Sequence, residues 1–228
     1  MLYQNPEYRI MGDRGLLVEL GDDISPEVNQ SVRELFITLK GDRIDGVVEI
    51  TPGYRSLLVI YDPLTIPLTT LRGTIDNIQR TNHHPQFSTP NLIKIPVVYG
   101  GKYGPDLEWL AEYHKMTIKE VIRLHTGSTY KVYMVGFMPG FPYMGELPEE
   151  LATPRRETPR TAVPQGSVGI AQKQTGIYPV EGPGGWRIIG RTPLRLFDPL
   201  KSPPTPLKMG GIVCFYTINE EEFSRWKP

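Results

Sequence analysis

Apolar positions in the first hundred residues recur with two different periods, and each period predicts a kind of element. Leu16–Leu20 (LLVEL) follows the turn-like Gly12-Asp13-Arg14-Gly15 and reads as a short strand. From Val28 the spacing changes. Val28, Val32, Leu35, Phe36 and Leu39 share one helical face, Ser25 can cap, Pro26 suits the first helical position, and Gly41 ends the run. Val47–Ile50 and Ser56–Tyr61 (SLLVIY) read as two strands joined through Thr51-Pro52-Gly53-Tyr54. A second helical face follows at Leu68, Leu71, Ile75 and Ile78, weakened by Gly73. Leu92–Tyr99 is a further strand, and Pro96 within it predicts an edge position.

This β-α-β-β-α-β order is the split βαβ arrangement, so the expected fold class is α+β with a ferredoxin-like N-terminal domain over residues 1–90. The polar segment Thr81–Pro90 (TNHHPQFSTP) is the expected connection to a second domain, residues 91–228. His83 and His84 fall in that connection. With no second ligand pair at useful spacing, they read as part of a solvated linker and no metal site is expected.

Between Gly100 and Gly127 two short helices are predicted. Leu107, Leu110, Ala111 and His114 line one face of the first, behind Pro105. Thr117 and Glu120 have capping-box spacing at the start of the second, followed by Ile118, Val121, Ile122 and His125. Both histidines lie on apolar faces. His114 reads as a hydrogen-bonded core residue. His125 is open to either a core or a catalytic role, because the chain runs on from it into the richest part of the sequence.

That part is Val135–Thr192, where prolines and glycines are crowded and interleaved with Phe137, Phe141, Tyr143, Val168, Ile170, Ile177, Tyr178 and Trp186. Proline fixes φ, and glycine permits positive φ and close backbone approach. Combined with large apolar anchors, they predict long ordered loops on a β scaffold, where binding sites gather. A disordered tract lacks such anchors.

Composition narrows the function classes. Across 228 residues, Lys+Arg and Asp+Glu both total 25, so the formal net charge is zero and nucleic acid is not an expected partner. The single Cys214 provides neither an intramolecular disulfide nor a zinc cluster. No signal-peptide core and no long apolar run is present, so a cytoplasmic protein without membrane association is expected. Gly182-Pro183-Gly184-Gly185 lacks the spacing and lysine of a phosphate loop, and Ser167 has no base near it in sequence.

The runs YGGKYGPDLEWLAEYH, LHTGSTYKVYMVGFMPGFPYMG, TPRRETPRTAVPQGSVGIAQKQTGIYP and GPGGWRIIGRTPLRLFDP together resemble the allophanate hydrolase subunit 1 family. The resemblance is strong over residues 95–218 and looser before them. It departs at Met209-Gly210-Gly211, where the family usually has Pro-Gly-Asp. The family includes the B component of the bacterial ATP-dependent 5-oxoprolinase and a Kip-type inhibitor of a sporulation histidine kinase. The resemblance implies a cyclophilin-like β-barrel as the second domain. It also implies two alternative roles. One is a 5-oxoprolinase component sharing ATP with an allophanate hydrolase subunit 2-like companion and a third 5-oxoprolinase subunit. The other is a binding module that blocks autophosphorylation of a histidine kinase.

Arg155, Arg160 and Arg191 each follow a proline or glycine, and an arginine fork suits a carboxylate or phosphate. Each either contacts a ligand or ties a loop to Glu157, Glu181 or a backbone carbonyl. With His125 these arginines are the catalytic candidates. Phe137, Pro139, Phe141, Ser167, Gln174, Tyr178 and Trp186 are the substrate-binding candidates. The mixture of aromatics and arginines fits a small anionic amide such as 5-oxoproline.

Overall fold

A computed structural model of the chain describes residues 1–81 and 92–227. Contacts divide it into two compact units, Met1–Thr89 and Pro90–Pro228. The expectations placed on His83 and His84 lie outside the described residues, as does the connection after Thr81.

The first unit holds β1 (Leu2–Met11), β2 (Gly15–Gly21), α1 (Pro26–Asp42), β3 (Val47–Pro52), β4 (Ser56–Tyr61) and α2 (Leu68–Arg80). Its sheet is antiparallel in the order β1-β2-β4-β3. Alternate residues of the two central strands, Leu16, Val18 and Leu20 with Leu57, Val59 and Tyr61, are buried. Val28, Val32, Leu35 and Leu39 of α1 and Leu71 and Ile75 of α2 complete that core. The Ser25 hydroxyl accepts from the Val28 N–H at 3.3 Å, so α1 begins where the capping pattern places it. It runs through Gly41 and ends at Arg43, whose φ of 45° is left-handed.

The expected β-α-β-β-α-β reading needs correcting at both ends. The sheet's fourth strand is β1, which precedes the first predicted element, and Leu92–Tyr99 belongs to the second unit. Two features hid β1 in the sequence. It is polar, and Asn5-Pro6 falls where its ladder with β2 is irregular, the kind of edge position that tolerates proline.

The second unit contains β5 (Leu92–Tyr99), α3 (Leu107–Tyr113), α4 (Ile118–Thr126), β6 (Thr129–Val135), β7 (Pro142–Gly145), β8 (Arg160–Val163), β9 (Ser167–Ala171), β10 (Gln174–Ile177), β11 (Gly182–Gly184), β12 (Arg187–Arg191), β13 (Ile212–Thr217) and α5 (Glu220–Ser224). Seven strands close a barrel in the order β10-β7-β6-β13-β5-β12-β9, while β8 and β11 pair separately. The β5–β13 pair is parallel and the other barrel pairs are antiparallel. Pro96 is therefore not on a sheet edge: it is buried and lies beside Tyr216 of β13. Pairing of β5 with β12 starts only at Val98, so a missing donor at Pro96 is tolerated on that side.

Alternation again sorts the side chains. Ile95 and Val97, Tyr130 and Val132, Val168 and Ile170, and Val213 and Phe215 enter one core cluster, joined by Leu107, Leu110 and Val121 of the helices. Ala171 and Ile188, one residue along from Ile170 and Ile189, belong to a second cluster on the opposite face of the wall. That second cluster positions the candidate site.

Candidate functional site

Outside the barrel wall, Phe141 is the hub of an aromatic group. Its ring centroid lies 4.7 Å from Tyr143, 5.1 Å from Tyr178 and 5.4 Å from Trp186, and Tyr143 lies 5.7 Å from Trp186. Glycine lets these rings lie directly on the strands. A β-carbon at Gly176 would meet both Phe141 and Trp186 at 2.9 Å, and one at Gly184 would collide with the Tyr178 hydroxyl. The structure thus brings together Phe137, Phe141, Tyr178 and Trp186 of the predicted set and adds Tyr143.

Phe137 is presented by two consecutive turns between β6 and β7. The Met138 N–H donates to the Gly136 carbonyl at 2.9 Å, closing a γ-turn on Phe137 at φ 68°. The Phe141 N–H donates to the Met138 carbonyl at 3.1 Å, with Pro139 and Gly140 (φ 84°) at the corners of a type II turn. Phe137 consequently stands 67% exposed with its ring edge-on to Phe141 at 6.2 Å. A left-handed residue other than glycine costs roughly 1–2 kcal/mol, and such conformations persist where surrounding structure holds them. Pro139 is exposed beside it and serves the turn.

The arginines separate into different environments. Arg155 is exposed and has no hydrogen-bond or ion-pair partner among the described residues. Its charge acts on Tyr143 and Tyr178, favouring their ionised forms. Burial outweighs that influence, raising Tyr143 and pushing Tyr178 up to about 12. Arg160 instead forks onto Asp106, Nη1 to Oδ2 at 2.8 Å and Nη2 to Oδ1 at 2.9 Å. Arg191 donates through Nε to the Gln165 carbonyl at 2.7 Å, tying the loop before β9. Arg155 therefore fits a ligand contact, and the other two fit loop ties.

His125 is fully buried beside Tyr99, Tyr130 and Phe215, stacked 4.5 Å from the last. Thr175 donates to the Gly169 carbonyl at 3.1 Å, so its hydroxyl accepts from His125 Nε2 at 3.0 Å. Nδ1 then accepts from the Tyr99 hydroxyl at 2.8 Å. Burial depresses the ring to about 3, which keeps it neutral at ordinary pH. Of the two roles left open for His125, this geometry fits the packed core ring, with both ring nitrogens engaged and no exposure to a substrate. Ser167 is buried opposite Arg191, and its carbonyl accepts the Tyr178 N–H at 2.9 Å. Gln174 opens β10 next to Thr175. His114 hydrogen-bonds Thr153 through Nε2 at 2.9 Å and is half-buried, so the hydrogen bond read for it is present at the margin of the core rather than within it.

Sequence reasoning missed Asp106, which joins α3 to this region. Its carboxylate also takes Arg156 Nη1 at 3.2 Å and the Ile188 N–H at 2.7 Å. Arg187 lies over Trp109, its Cζ 3.5 Å from the ring centroid. Gly-Pro-Asp reads as a helix start, and nothing local signals partners fifty or more residues away. No group of three or more potential metal ligands occurs among the described residues.

The exposed Phe137 ring and half-buried Tyr143, backed by the buried rings of Phe141, Tyr178 and Trp186 and near the unpaired Arg155, can meet a planar, anionic small molecule or a complementary apolar surface. Burial keeps the His125 ring neutral and the Tyr178 hydroxyl protonated near neutrality.

Comparison with known proteins identifies the chain's relatives. Residues 6–207 match the family described as carboxyltransferase domain, subdomain C and D. The B component of the 5-oxoprolinase of Bacillus subtilis is 37% identical over 95% of both chains. That of Escherichia coli O157:H7 is 41% identical over 92% of this chain and 95% of its own. The crystal structure of TTHA0988 superposes with a TM-score of 0.80 at 32% identity, covering 90% of this chain and 40% of that one. The allophanate hydrolase subunit 1 resemblance read from the sequence motifs is borne out. This chain belongs to the carboxyltransferase-domain family, subdomain C and D, together with the B components of the 5-oxoprolinases.

Proposed function

We propose that this chain is the B component of a multi-subunit, ATP-dependent 5-oxoprolinase. In this reading it acts with an allophanate hydrolase subunit 2-like companion and a third subunit that completes ring opening to glutamate. The observation that carries the proposal is the 37% and 41% identity to two such 5-oxoprolinase components along nearly the whole chain. The site's chemistry agrees with it. Arg155 suits the single carboxylate of 5-oxoproline, and Phe137 and Tyr143, packed on the buried Phe141, suit its lactam ring. ATP is shared with the companions, since the sequence lacks a self-sufficient phosphate loop.

Reconstitution tests this directly. The purified chain alone should show no 5-oxoproline-dependent ATP hydrolysis, and turnover should appear when both companion subunits are added. Robust hydrolysis by the chain alone would overturn the shared-site reading. Co-purification of a histidine kinase in place of the companions would favour the inhibitory alternative.

A further inference from the structure

Three guanidiniums converge where the structure provides one buried carboxylate. Asp106 and Trp109, three residues apart at the start of α3, share a side of that helix and set the carboxylate next to the indole ring. Arg156 and Arg160 reach the carboxylate, and Arg187 reaches the ring. Asp106 is saturated. It accepts two bonds from Arg160, one from Arg156 and one from the Ile188 N–H. It therefore has little capacity left for Arg187.

Arg187 is poorly satisfied. Its Nε is buried and has no hydrogen-bond partner among the described residues. Leaving a donor of a charged group unpaired away from water is costly, and native proteins rarely keep one without a reason. Burial lowers the basicity of Arg187, and the neighbouring charges of Arg156 and Arg160 lower it further. Asp106 and the exposed Glu157 pull the other way, yet two acids do not balance three guanidiniums.

We propose that Arg156 and Arg187, braced by the Arg160–Asp106 fork and the Trp109 ring, form a binding site for one oxyanion group, a carboxylate or a phosphate. An oxyanion would supply an acceptor for the Arg187 guanidinium and offset the excess charge of the cluster, and a guanidinium fork matches both ligand types. Arg187 is held in place over the Trp109 ring rather than by a carboxylate, so its guanidinium has no protein acceptor among the described residues. The proposal does not use Arg155 and does not depend on the oxoprolinase reading.

The test is a side-chain nitrogen NMR titration of the full chain, with the Arg187 Nε–H resonance assigned by its loss in Arg187→Gln. Potassium phosphate and, separately, sodium acetate are added against a sodium chloride series of matched ionic strength. The expected result is a saturable shift of that resonance by at least one of the two oxyanions. Losing one charge-assisted hydrogen bond should weaken binding about tenfold or more in Arg187→Gln, read from the remaining arginine resonances. Arg187→Lys, which keeps the charge and stem, guards against misfolding and should bind with intermediate strength. Competition by ATP would identify a nucleotide phosphate as the source, and competition by 5-oxoproline a substrate carboxylate. A shift that only tracks ionic strength, or undiminished binding by a folded Arg187→Gln, would overturn the site.

Discussion

Arg160 and Asp106 meet as a planar fork, with paired distances of 2.8 and 2.9 Å across a carboxylate that is 3% exposed. The same carboxylate holds Arg156 and the start of β12, so one acid fastens the start of α3 to β8, to the loop before it and to β12. Removing one partner of a buried pair leaves uncompensated charge, which costs about 3–5 kcal/mol. Asp106→Ala should therefore destabilise the protein by about 3 kcal/mol, the low end of that range because both arginines are partly solvated. Arg160→Lys, which keeps the charge and breaks the fork, should also lower Tm. Unchanged unfolding midpoints in urea for both variants would show the fork to be idle.

Arg155 should behave in the opposite way. It is exposed and ties nothing down, so Arg155→Lys should leave Tm unchanged. In the reconstituted complex the loss of a bidentate contact should lower kcat/KM for 5-oxoproline about tenfold or more, since a charge-assisted hydrogen bond is worth about 1.5–3 kcal/mol. Parallel melting and turnover measurements on Arg155→Lys and Arg160→Lys separate a ligand contact from a structural one. Equal loss of stability in both would remove Arg155 from the site.

What the sequence made legible and what it hid have physical causes. The α1 and α4 caps were readable because Ser25 with Pro26, and Thr117 with Glu120, act within a single turn. The aromatic wall was readable because large rings among glycines are a compositional signal carried by the residues themselves. The role of Asp106 was not readable, since its partners lie 50, 54 and 82 residues away and nothing local marks them. Arg187 was hidden for the same reason: its stacking partner Trp109 is on another element. The N-terminal sheet was miscounted because β1 is polar and carries a proline, whereas the apolar Leu92–Tyr99 fits any sheet equally well.

Phe137 offers a test in which stability and function move apart. Its φ of 68° costs roughly 1–2 kcal/mol for a residue with a side chain, while glycine loses about 0.5–1 kcal/mol of extra chain entropy on folding. Phe137→Gly should accordingly leave the protein as stable as before or up to about 1 kcal/mol more stable. It should at the same time weaken 5-oxoproline turnover or companion binding in the reconstituted complex, because the exposed end of the wall is gone. A variant that melts earlier would mean that Phe137 stabilises its own fold rather than serving recognition.

His125 carries a pH prediction whose sign follows from burial. Its folded-state value of about 3 lies below the ordinary 6.5, so the unfolded chain takes up a proton that the folded chain refuses. Above pH 6.5 both states are neutral, and the ring's contribution to stability is complete. As pH falls from 6.5 toward 3, stability is lost at a slope approaching about 1.4 kcal/mol per pH unit for this one group. His114, lowered by its own burial, adds to the loss in the same range, and Glu19, Asp22 and Glu120, lowered chiefly by their hydrogen-bond partners, add theirs at more acid pH. The contribution of His125 is therefore read by difference. In urea unfolding at several pH values between about 6.5 and 4.5, His125→Gln should lose stability less steeply than the parent, by about that slope. The variant should also be less stable near neutral pH, where the Tyr99 and Thr175 hydroxyls lose a well-fitted partner. Parallel pH profiles for the two proteins would mean that His125 titrates normally, and the buried neutral ring would have to be abandoned.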